Sequence, residues 1–196
     1  MKQLRIKILL SLILLVGCND FCFAQDFANP HLDGTIYGIS SLPDEWENVS
    51  ALDPACEATG LYVTDTPDLT SVDLPNLSSG VAATPYIGNT CLTGGHSINI
   101  YEYTYIIWHE GIQQTVYGLN PGTEYESSLY QAVVKQKDVE SEAGYWKVYR
   151  DYDLIGHTSP TTSDLHWSDV NVEWEYRSMR FLATLDSHTF KFLPTT

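Results

Sequence analysis

Apolar and polar residues alternate with a period of two along much of this chain. Ile112, Gln114 and Val116 fall on one side of an extended segment, and Gln113, Thr115 and Tyr117 on the other. That spacing is the pattern of a half-buried β-strand. Asn120-Pro121-Gly122 ends the segment with turn residues. A second strand is expected from 125 to about 134, and the two are read as an antiparallel hairpin. Residues 97–108 read as one strand with Tyr101, Tyr103 and Tyr105 on a common face. Residues 145–150 and 153–156 form a predicted hairpin that turns at Asp151-Tyr152. Residues 172–184 and 188–193 form a last predicted pair, turning at Asp186-Ser187. Residues 29–49 read as an opening strand followed by a Pro43-x-x-Trp46 turn. Residues 50–95, rich in Pro, Asp, Ser and Gly, read mostly as loop, which is long for a compact domain. Few segments carry a helical period, so the expected class is all-β, a sandwich or barrel.

The first residues follow a different pattern. Lys2, Arg5 and Lys7 precede an apolar run over 8–17. The run is shorter than the roughly 20 apolar residues a membrane span needs and fits an export signal. Two cuts fit. Cys22-Phe23-Ala24 suits ordinary signal peptidase, leaving residues 25–196 as a single β-sandwich binding domain. Leu15-Val16-Gly17-Cys18 resembles a bacterial lipobox, which would end the signal before Cys18 and put a lipid anchor there. Either way the protein is expected outside the cytoplasm: secreted, periplasmic or at the outer surface. No transmembrane segment is expected in the remainder.

Charge narrows the partners. Three of the ten basic residues and one of the 25 acids lie in residues 1–24, so residues 25–196 carry a net −17. Phosphate contact requires a basic surface, which argues against nucleic acid and against an anionic membrane. Neutral sugars, cations and basic proteins remain compatible. Cys56 and Cys91 survive cleavage after Ala24. In an exported chain a disulfide between them is the default expectation, and on a chain-entropy account it would contribute about 3–4 kcal/mol. Two buried thiols are the rival reading.

Several segments together resemble the galactose-binding-like jelly-roll modules of secreted bacterial proteins, which include many carbohydrate-binding modules. The resemblance is carried by Asn29-Pro30-His31-Leu32-Asp33-Gly34, Pro43-Asp44-Glu45-Trp46, Gly111-Ile112-x-Gln114-x-Val116 and Pro121-Gly122-Thr123-x-Tyr125. It continues through Trp174-x-Tyr176, Phe181-x-Ala183 and His188-Thr189-Phe190-Lys191-Phe192. It implies an antiparallel jelly-roll β-sandwich with Trp46 and Trp174 as core, and a structural Ca²⁺ to which Asp33 would contribute. Asp53, Asp65 and Asp68 supply further oxygens in the loop-rich stretch. Such modules usually finish with one more strand; either that strand is missing after 188–193 or a partner supplies it, and an uncovered sheet edge there would invite pairing with another chain.

The candidate chemistry is aromatic rather than catalytic. His109-Glu110-x-x-Gln113 falls one residue short of the zinc-protease pattern and lies on a strand, where positions i and i+4 do not share the required helix face. There is no Gly-x-Ser-x-Gly elbow and no phosphate loop, and no carboxylate pair stands out as a glycosidase couple. No enzyme activity is expected. Sugars present flat C–H faces ringed by hydroxyls, so a binding site needs exposed rings beside polar groups. Trp108, Glu110, Tyr103, Trp146 and Trp167 are the predicted ligand contacts. The expected function is non-catalytic binding of a glycan or polysaccharide outside the cytoplasm. The alternative is a structural or adhesive module that binds a surface protein by edge-strand pairing.

Overall fold

The computed structural model describes residues 27–38, 41–49, 61–64, 68–74, 83–93, 96–101, 104–133, 144–161 and 171–195, with the backbone alone over 61–64, 96–101 and 104–109. The described residues hold twelve strands, in chain order β1 Glu47–Asn48, β2 Leu61–Thr64, β3 Asp68–Thr70, β4 Cys91–Thr93, β5 His96–Tyr101, β6 Thr104–His109, β7 Ile112–Tyr117, β8 Glu124–Gln131, β9 Tyr145–Arg150, β10 Asp153–His157, β11 Glu175–Leu182 and β12 Ser187–Thr195. No helix occurs among the described residues. The class is all-β.

The largest sheet has five antiparallel strands in the order β1-β7-β12-β9-β10. A two-stranded antiparallel ribbon, β8 with β11, faces it. Their inner side chains form one core. Ile112, Val116, Trp146, Val148, Phe190 and Phe192 come from the sheet, and Tyr125, Leu129 and Phe181 from the ribbon. The Phe181 ring meets Phe190 edge-on at 4.7 Å between centroids. Phe27 and Trp46 stack at 5.5 Å and close one end of this core. Two smaller units complete the chain: β2-β6-β5, in which β2 runs parallel to β6, and the pair β3–β4.

The alternation over 112–117 is realised, with Ile112, Gln114 and Val116 buried and the intervening residues turned outward. Strands β9 and β10 form the predicted hairpin, with a register shift between Leu154 and Gly156.

Two predicted pairings are overturned. β7 does not pair with β8, and β11 does not pair with β12; each turn instead carries the chain from one layer to the other. Thr123 N–H donates to the Asn120 carbonyl at 3.1 Å, and Gly122 adopts φ +87°, a conformation open to glycine at little cost. The corner then pairs with the other corner. Gly122 N–H donates to Ala183 O at 2.7 Å, Ala183 N–H to Thr123 O at 2.9 Å, and Leu119 N–H to Asp186 O at 2.8 Å. Turn residues mark where a strand stops. They do not say whether the next strand stays in the same sheet.

Three further expectations change. Residues 97–108 are not one strand: β5 and β6 form a tight hairpin in which Tyr101 opposes Thr104, although no Gly, Pro or Asn announces a turn. The loop-rich 50–95 region contributes β2, β3 and β4. The described residues of the opening segment before β1 are irregular, held by turns such as Trp46 N–H to Pro43 O at 3.2 Å. The expected open edge beside the last strand is also absent. β12 pairs with β7 over 187–192 and with β9 over 190–195, because its residues 190, 192 and 193 are apolar and require cover. Among the described residues the sheet's outermost strands are β1 and β10.

Candidate functional site

Strand alternation sends one set of β8 and β11 side chains into the core and the other set outward. Tyr125, Ser127, Leu129 and Gln131 are buried. The other set is Glu124, Glu126, Ser128 and Tyr130 on β8, of which Ser128 is buried and Glu126 and Tyr130 half-buried, opposed in register by Leu182, Arg180, Ser178 and Tyr176 on β11. This outer face is about 20 Å long at the usual strand rise. It combines rings, hydroxyls and charges.

Tyrosines gather at one end. Tyr86, from the segment before β4, lies over Tyr130 with ring centroids 3.7 Å apart and planes 19° apart. Tyr176 meets Tyr130 edge-on at 5.4 Å. Tyr86 and Tyr176 keep 46% and 44% of their surface exposed. The Trp174 indole N–H donates to Thr84 O at 3.3 Å, which ties the Tyr86 segment to the start of β11. The Tyr86 hydroxyl beside Tyr130, with some desolvation, holds the Tyr130 phenol above its ordinary value of 10.0. Charge gathers at the other end. Arg180 sits between two carboxylates, with Nε 3.4 Å from Glu126 and Nη1 3.5 Å from Glu124. The Tyr176 hydroxyl donates to Glu126 at 3.4 Å, which links the rings to this polar group. Glu124, Tyr125, Glu126 and Arg180 line a small depression of about 60 Å³.

Of the residues expected to contact ligand, the structure describes Trp146, Glu110 and the backbone of Trp108. Trp146 is corrected outright: its ring is 0% exposed and packs within the core, because its position on β9 shares the inward phase of Val148. Trp108 lies on β6, its backbone opposite Ser97 and Val63, and its side chain is outside the described part. Glu110 is half-buried at the β6–β7 junction. Tyr103 and Trp167 lie outside the described residues, as does Cys56. Its expected disulfide partner, Cys91, is buried on β4, with Sγ 3.9 Å from Ala83 O.

Asp33, the expected metal ligand, belongs to a closely bonded corner. Its carboxylate accepts the Asn89 N–H at 2.9 Å, beside Gly88, where a Cβ would fall 2.4 Å from Asp33 Oδ1. Its backbone carbonyl accepts the Asn29 side-chain amide at 2.6 Å, and the same amide nitrogen donates to Asp44 O at 2.8 Å. Asn29 Oδ1 accepts Asp33 N–H at 3.0 Å. No cluster of three or more His, Cys, Asp or Glu side chains suited to a metal occurs among the described residues.

The tyrosine group was legible only in part. Glu124-x-Glu126-x-Ser128-x-Tyr130 and Tyr176-x-Ser178-x-Arg180 are polar alternations ending in tyrosine, a signal that two strands share a decorated face. Nothing in the sequence brings Tyr86 to them from 44 residues before Tyr130.

Comparison with protein-family models, with curated proteins and with solved structures found no match in any of the three. No helix of the described residues is long and apolar enough to cross a membrane.

Proposed function

We propose that the protein is a non-catalytic carbohydrate-binding module acting outside the cytoplasm, and that its ligand lies on the outer face of the β8–β11 ribbon. The observation that carries this reading is the group Tyr86, Tyr130 and Tyr176, with Tyr86 and Tyr176 exposed and Tyr130 half-buried, beside Glu126, Ser178 and Arg180. Rings supply flat apolar contact for sugar C–H faces, and the adjoining carboxylate, hydroxyl and guanidinium supply acceptors and donors for sugar hydroxyls. An open face of this kind gives modest affinity, since little ligand surface is enclosed. The net charge of −17 over residues 25–196 favours uncharged glycans over polyanionic ones.

The fold reading that goes with this is a jelly-roll sandwich of the galactose-binding-like kind. Its support is the chain path, which steps from β7 in the large sheet to β8 in the ribbon, back to β9 and β10, out to β11 and back to β12. The two corners at 118–123 and 183–186 run together at one end.

A glycan array probed with the purified protein tests the function. Saturable binding to one class of neutral polysaccharide, lost in Tyr86→Ala and Tyr176→Ala variants that retain the wild-type circular dichroism, is the expected result. Binding that survives both substitutions would move the site off this face. A folded protein that binds no glycan would sink the reading. Strand addition by a protein partner is the competing account, and it has the edge strand β10 to work with. That strand carries a register shift at Leu154/Gly156 and begins with Asp153, both features that discourage edge pairing.

A further inference from the structure

We infer that the side-chain amide of Asn29 occupies a cation-shaped position in the 29–46 corner, so that the protein holds this corner without calcium. The resemblance to galactose-binding-like modules implies a structural Ca²⁺ at Asp33, and the residues around Asp33 do not fit one. Two backbone carbonyls, Asp33 O and Asp44 O, converge on a single atom at 2.6 and 2.8 Å. Converging carbonyls are what a hard cation seeks, at 2.3–2.6 Å and with six to eight oxygens in all. Here the atom between them is Asn29 Nδ2, and its two protons match the two carbonyls one to one.

The amide orientation is fixed from its other end. Asn29 Oδ1 accepts the Asp33 N–H at 3.0 Å, so a flip would set an oxygen against two carbonyls and an NH₂ against an N–H. The backbone of Asn29 is fixed as well. It takes φ +48°, and its carbonyl accepts both Leu32 N–H and the Trp46 indole N–H at 3.1 Å. Asp33 is turned to another task, since its carboxylate accepts the Asn89 N–H under Gly88. Asp33 O also accepts Asp44 N–H at 3.1 Å, which leaves that carbonyl with two donors already. The carbonyls are therefore satisfied by protein hydrogen bonds, and the Asp33 carboxylate faces a backbone donor. This inference is independent of the sugar-binding proposal.

Scanning calorimetry of the purified protein, in millimolar calcium and in EDTA, tests it. The expected result is one Tm in both buffers, with no calcium uptake by isothermal titration. Asn29→Asp replaces the two donors by a carboxylate oxygen facing two carbonyls. The expected variant has a lowered Tm in EDTA that calcium raises again. A wild-type Tm that falls in EDTA, with calcium uptake abolished by Asp33→Asn, would overturn the inference. So would an Asn29→Asp variant that folds but is indifferent to calcium. If that variant fails to fold, the wild-type measurement alone decides.

Discussion

His188 Nδ1 lies 2.6 Å from Asp151 Oδ2, joining the start of β12 to the β9–β10 turn. The imidazole is 1% exposed, and its Nε2 accepts Thr184 N–H at 3.0 Å and Leu185 N–H at 3.2 Å. The ring proton therefore sits on Nδ1, facing the carboxylate. The second Asp151 oxygen accepts Thr189 N–H at 2.9 Å, and Asp151 itself stands at φ +55°. One buried ring thus satisfies the corner at 183–186 and one hairpin turn together. His188→Leu keeps the volume but strands two backbone donors and a carboxylate. It should cost about 3 kcal/mol or more, read as a fall in the urea midpoint. Asp151→Asn tolerates the positive φ but sets an amide NH₂ against either the His188 Nδ1–H or the Thr189 N–H, and should cost about 1–3 kcal/mol. An unchanged midpoint in either variant would show that the hydrogen bonds are not what matters.

Removal of a ring from the tyrosine group should separate binding from folding. Tyr86→Ala and Tyr176→Ala are each expected to weaken glycan binding about tenfold or more, or about 1.4 kcal/mol. Both rings are half exposed, so the unfolding midpoint should barely move. Affinity electrophoresis beside a denaturation curve distinguishes this from simple destabilisation.

Trp146→Ala should do the reverse. A fully buried ring leaves a cavity, and the expected loss is about 3–5 kcal/mol of stability. Any fraction that remains folded should bind as the wild type does. Selective loss of binding in a fully stable Trp146→Ala protein would return that residue to the ligand surface.

Tyr130 gives a pH signature. Its phenol is held above 10.0 by the Tyr86 hydroxyl first and by desolvation second. Folding therefore favours the protonated form. That contribution is fully present below about pH 10, the unfolded value, and is lost as pH rises through the higher folded value. In a spectrophotometric titration, one tyrosine should ionise late in the wild type and move earlier in Tyr86→Phe. An unchanged titration curve would mean the two rings do not meet in solution.

Gly88 is the last test. At φ +79°, with Asp33 Oδ1 only 2.4 Å from any Cβ, Gly88→Ala should destabilise by more than ~1 kcal/mol. Thermal melts of this variant and of Asp33→Ala, singly and combined, should show non-additive losses, since the clash needs the carboxylate.

The strands were legible where one face is buried and the other wet. β7 follows its alternation almost residue for residue, β9 and β10 form the hairpin expected of them, and Trp46 falls in the core as its motif suggested. Beyond the β9–β10 hairpin, the pairing was not legible. The turns after β7 and β11 carry ordinary turn residues, yet both lead across the core, because Tyr125, Leu129 and Phe181 bury themselves only against the opposite layer. Among the expected ligand contacts, Trp146 shows why an aromatic type alone does not mark a sugar contact: its phase with Val148 on β9 points inward. Tyr130 and Tyr176 lie on outward phases of strands whose pairing with each other is non-local, and Tyr86 reaches them from an irregular segment.

Strand β12 lies between β7 and β9, although it follows both in the chain. Until residues 187–195 have been made, β7 and β9 have no strand between them, and the inner faces of Ile112 and Val148 lack the cover of Phe190 and Phe192. The large sheet therefore closes late, through contacts between distant parts of the chain, and such topologies fold slowly. A polypeptide built this way stays open for most of its synthesis, the condition in which a chain can be threaded through a narrow pore before it folds on the far side.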